Sequence, residues 1–161
     1  MILSRRVFYI TAMAIAADLF AALKTVWTAN ATPNKPLAAI TGPYRDRAPA
    51  QVVPAEIVFP VCVVKGRKSV RTSLTNMSEY WRSDVVFEVR DKTAALAEAS
   101  LTGIVAVYGA SFRTAATSPQ STVAILSIRA IDEDNKQEKE QVEVASAAYR
   151  ITWSKPREDK M

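Results

Sequence analysis

Few side chains in this sequence could do chemistry. There is no histidine, and Cys62 is the single cysteine among 161 residues. That removes the commonest metal ligand and general base, along with every Ser-His or Cys-His nucleophile arrangement. One cysteine allows no intramolecular disulfide, and one thiolate with carboxylates is a poor zinc set. Neither S-x-x-K nor G-x-S-x-G occurs. Asp132, Glu133 and Asp134 form an acidic run with Asn135. It lacks the glycine and the downstream glutamate of a calcium loop, and Lys136 and Lys139 offset its charge. It reads as a charged connection between strands. Cys62 sits in an apolar run and reads as a small core residue. These residues point to a protein that is not an enzyme and takes no cofactor and no metal.

Two groups of charged residues invite a contact reading. Lys65, Arg67, Lys68 and Arg71, with Gly66 among them, form the densest basic patch. As a turn between strand and helix, the patch suits anionic lipid headgroups or an acidic partner. It has no interleaved aromatics, which argues against nucleic acid. The net charge of +5 is ordinary for a protein surface. The second group is Asp18 alone, inside the longest apolar run. A carboxylate is costly in a bilayer, so Asp18 is expected to meet a polar group on a partner helix.

The elements that must position these residues begin with that run, Val7–Trp27, which follows Arg5 and Arg6. Its length just meets the roughly 20 residues of a membrane span. Lys24 can snorkel and Trp27 suits an interface. Residues 1–28 are therefore expected to form a single-pass anchor, N-terminus inside, with the rest of the chain outside. A bacterial inner membrane with a periplasmic domain fits this reading, and an organelle membrane is the alternative. A rival reading is an export signal cleaved after Ala29-Asn30-Ala31. Ser4-Arg5-Arg6-Val7-Phe8 resembles the start of a twin-arginine export signal, although Tyr9-Ile10 departs from that pattern. The resemblance implies an exported, soluble binding domain.

Residues 29–54 hold Pro33, Pro36, Pro43, Pro49 and Pro54, most of the chain's 8 prolines. Such spacing predicts an extended linker. Leu37, Ile40 and Tyr44 in it are candidate partner contacts, because an apolar linker has side chains to bury.

Residues 55–161 read as one small domain. Glu56–Val64 is an almost continuous β-branched strand interrupted by Pro60. Ser69 is placed to cap a helix reaching Trp81 or Arg82, with Val70, Leu74, Met77 and Trp81 on one face. Asp84–Arg90 alternates as a half-buried strand. Asp91–Ser100 favours a short helix anchored by Leu96. Leu101–Arg113, Ser121–Ile131 and Val142–Trp153 complete the strands. The expected class is α+β: a mainly antiparallel sheet with one or two covering helices, behind an anchor and a linker. The expected function is a structural or assembly subunit of a membrane or envelope complex. Its partners are other membrane-protein subunits and the bilayer, met through the anchor, the linker and the open sheet face.

Overall fold

The computed structural model describes residues 14–47, 58–109, 123–137 and 143–157. Arg5, Arg6 and the first third of the apolar run lie outside these. The elements are α1 (Ala17–Ala29), β1 (Thr41–Arg45), β2 (Val61–Leu74), β3 (Ser78–Asp91), α2 (Ala94–Tyr108), β4 (Ala124–Gln137) and β5 (Glu143–Pro156). The strands form one mixed five-stranded sheet in the order β1-β2-β3-β5-β4. β1 runs parallel to β2 and the other pairings are antiparallel. The α+β class read from the sequence holds.

Helix α1 forms because the apolar run is more regular than its mean hydropathy shows. Leu19, Ala22, Leu23, Val26 and Trp27 recur at helical spacing and are all buried. Lys24, Thr25 and Thr28 fall on the exposed side. The buried stripe joins the same core as Cys62 and Val64 of β2, Phe87 of β3 and Tyr149 and Trp153 of β5. The Tyr108 hydroxyl donates to the Leu23 carbonyl at 2.8 Å, tying α1 to the end of α2. Ala17–Trp27, expected to span a membrane, is therefore half of the domain's helical layer. Among the described residues, no helix is long and apolar enough to cross a membrane.

The chain enters α1 under close constraint. The Ile15 amide donates to Asp46 Oδ1 at 3.1 Å, and its carbonyl accepts from Arg45 Nε and Nη2 at 3.2 and 3.0 Å. Gly66 lies beneath this segment. A Cβ there would come within 2.5–2.8 Å of Ala14 and Ile15 backbone atoms, so Gly66 serves close packing and not a turn. After α1, the Asn30 side-chain amide donates to the Val26 carbonyl, helping to close the helix. The described part of the expected linker then folds back on the same domain. Leu37 and Ile40 are buried in the core, and residues 41–45 add strand β1. Residues 15–40 and 62–153 both contribute to one core.

Four local expectations change. Ser69–Trp81 is not a helix: β2 and β3 form a long hairpin with its tip at residues 75–77. Thr75 Oγ1 accepts from the Met77 and Ser78 amides there, at 3.3 and 3.0 Å. β-branched Val70 and Thr72 favour a strand, and in-register pairing of β3 with β5 along its whole length supplies cross-strand bonds that periodicity cannot show. The second helix is α2, capped by Thr93, whose hydroxyl accepts from the Leu96 amide at 3.2 Å. Leu96 itself is 50% exposed, and Ala97, Leu101, Ile104 and Tyr108 form the buried face. Leu101–Tyr108, expected as strand, continues this helix. Asp132, Glu133 and Asp134 lie within β4, in register with Ala148, Ala147 and Ser146, and not in a connection.

The sheet alternates as the reading of residues 84–90 predicts. Val85, Phe87 and Val89 are buried against the helices. Phe87 packs on Tyr108 with centroids 4.5 Å apart and meets Tyr149 edge-on at 5.7 Å. Trp153 is buried, donates to Ser83 Oγ at 2.9 Å and stacks on Trp81 at 5.9 Å.

Candidate functional site

The side of the sheet away from the helix core is built by the alternate residues of β2, β3, β5 and β4. Cross-strand partners share a face, so register arranges them in rows. One row is Lys68, Asp84, Arg150 and Arg129. The next toward the hairpin tip is Val70, Arg82, Thr152 and Ser127. Lys68, Arg82, Ser127 and Arg129 are exposed, and Val70, Asp84, Arg150 and Thr152 are half-buried. Toward the other end of the same face, Val61, Val63, Val144 and Ala148 are buried.

The charged row has an internal logic. Arg150 grips Asp84 side-on, Nε to Oδ1 at 2.9 Å and Nη2 to Oδ2 at 3.1 Å. This two-pronged bond is the strongest influence holding the Asp84 carboxyl below its ordinary range; partial burial opposes it, and the charges of Arg150, Lys68 and Arg67 reinforce it. One carboxylate thus serves several cations. Arg129 stands directly opposite Arg150, and like charges so placed destabilise a sheet. Arg67, Lys68, Arg82 and Arg129 make no ion pair among the described residues. Farther along the face, Glu88 pairs with Lys65 at 3.0 Å and with Arg90 at 3.6 Å. Around the charged row, cations outnumber carboxylates.

The basic residues singled out by sequence divide. All four lie on β2, not in a turn. Lys68 belongs to the row, and Arg67 sits at the adjoining bulge and acts on Asp84. Lys65 is engaged with Glu88, whereas Arg71 is in register with Trp81, on the helix-covered side. Asp84, Arg150, Arg82 and Arg129 were not legible as site residues. They lie far apart in the chain, and only register makes them neighbours.

The candidate partner contacts are mostly satisfied within the molecule. Asp18 meets Lys155 Nζ at 3.4 Å, and its side chain is 42% exposed. Such a pair contributes about 0–1 kcal/mol. Leu37 is fully buried and Ile40 is in the core. Tyr44 is half-buried on β1, beside Val63. A search of protein-family models and one of curated proteins found no match to this chain.

Proposed function

We propose that the protein is a non-enzymatic binding subunit of a larger assembly, and that it docks a partner through the open part of its sheet. The observation that carries this reading is the row Lys68, Asp84, Arg150 and Arg129, with cations in excess on a face turned away from the helices. Cys62, the one thiol, supports a non-catalytic role. It is fully buried, and burial first, then the charge of Glu88, pushes its pKa far above the ordinary value.

The membrane and export expectations enter this proposal in narrower form. A span over Val7–Trp27 would need Leu19, Leu23 and Trp27 in lipid and in the domain core at once. Without α1, what remains of the run is far shorter than the roughly 20 residues required. In this proposal the protein is held to a membrane or envelope complex by protein contacts. A signal cut after Ala31 would remove the buried stripe of α1, so an exported form keeps α1 and loses at most residues ahead of it.

Photo-crosslinking in cells tests the docking face. A photoreactive residue at Thr152, on the open face, is expected to give discrete higher-mass adducts. The same residue at Leu96, exposed on α2, is expected to give none. Equal adducts from both positions, or none from Thr152, would overturn the reading.

A further inference from the structure

We infer that the partner presents carboxylates, and that Arg129 receives one of them in the manner in which Arg150 receives Asp84. This rests on the open face being the docking surface, and it names the chemistry of what docks there.

The molecule supplies its own example. Arg150 holds a carboxylate through Nε and Nη2, the planar fork that suits two oxygens. One strand over, about 4.8 Å away, Arg129 presents a second guanidinium in the same row. Arg129 is exposed and has no ion pair among the described residues. Its position opposite Arg150 costs stability in the free domain, and a carboxylate between them relieves that cost. Lys68 at the far end of the row and Arg82 in the next extend the positive field.

The surroundings favour an acidic protein segment over a polyphosphate. Val70 and Thr152 border the row and offer aliphatic contact. Among the described residues, register places Tyr80 toward the tip of this face and Tyr44 beside Val63 toward its other end, too widely separated for a run of stacked bases. The row runs across four strands, and an extended chain laid along it turns alternate side chains toward it. Salt is expected to weaken such a contact, because the row is exposed.

The test titrates the full chain at low salt with poly-L-glutamate, with a single-stranded oligonucleotide of matched length, and with vesicles of neutral or anionic lipid. Poly-L-glutamate is expected to bind tightest and to be released by high salt. Arg129→Gln should weaken it roughly tenfold, as expected for losing a charged hydrogen bond. Arg129→Lys, which keeps the charge but not the fork, should fall between. Asp84→Asn should tighten binding, because it frees the Arg150 fork. Arg71→Gln removes the same charge from the opposite side of β2 and should change affinity by no more than about twofold. Equal losses in Arg71→Gln and Arg129→Gln would reduce the effect to net charge and overturn the inference. Tighter, Arg129-dependent binding of oligonucleotide or anionic vesicles would assign the row to phosphate and overturn it too. Absence of poly-L-glutamate binding would also overturn it, yet Thr152 crosslinks would still support a docking face of different chemistry.

Discussion

Asp84 shows how one residue's chemistry depends on three strands. Its neighbours in sequence, Ser83 and Val85, face the core, while its charge is met by Arg150 on β5 and by Lys68 and Arg67 on β2. The bond lowers its pKa below the ordinary 3.8. A depressed carboxyl contributes stability above the unfolded value and loses it as pH falls through the folded value. The wild type is therefore expected to lose stability below about pH 4 that Asp84→Asn does not lose. Urea unfolding at a series of pH values measures it: the two proteins differ at neutral pH and converge in acid. A constant gap down to pH 2 would show that the Arg150 contact contributes nothing through the charge. Gly66 works differently at the same scale. It has no side chain to contribute, and that is what lets Ala14 and Ile15 pass over β2.

At the scale of elements, α1 is the part of the chain with two physical readings. Its stripe from Leu19 to Trp27 is amphipathic at helical period, yet Phe20 and Ala21 beside the stripe raise the mean hydropathy toward that of a membrane span. The core decides between them, because Tyr108 bonds to Leu23 and Phe87 packs on Tyr108. Trp27→Ala is expected to cost roughly 3–5 kcal/mol in the isolated protein, and Leu23→Ala roughly 2–5. Lys24→Ala, on the exposed side of the same helix, should stay within about 0.5 kcal/mol. Denaturant midpoints separate these outcomes. If Trp27→Ala unfolds where the wild type does, α1 is not part of the stable core. The β2–β3 hairpin makes the converse point. Val70, Leu74, Met77 and Trp81 have a helix-like spacing, yet Met77 is 78% exposed at the tip while Trp81 stacks on Trp153. Four apolar residues fit a helical face or a hairpin equally well until strand partners are known.

For the whole molecule, residues on either side of the expected anchor and linker boundaries share one core, so they are expected to unfold together. A chain beginning at Thr32 lacks Ile15, Leu19, Leu23, Val26 and Trp27, all buried. It is expected to lose its sharp thermal transition by circular dichroism, whereas a chain beginning at Ala14 keeps it. A sharp transition in the shorter chain would restore a separable anchor or signal ending at Ala31.

The sequence by itself determined a good deal. Residue types alone, with no histidine and one cysteine, narrowed the chemistry. Alternation of Val85, Phe87 and Val89 fixed a half-buried strand, and the mixture of helical and strand periods fixed the α+β class. Cys62 read as a core residue and is one. Tertiary structure alone decided where the described parts of the apolar run and the proline-rich stretch go. Hydrophobicity states that Leu19, Trp27, Leu37 and Ile40 must leave water, but not whether lipid, a partner or their own sheet receives them. It also decided the charged row. Lys68, Asp84, Arg150 and Arg129 come from four strands, and a one-residue shift in any pairing would send that strand's member to the other face. Register is set by the packing of the whole core, so no local stretch of sequence records it.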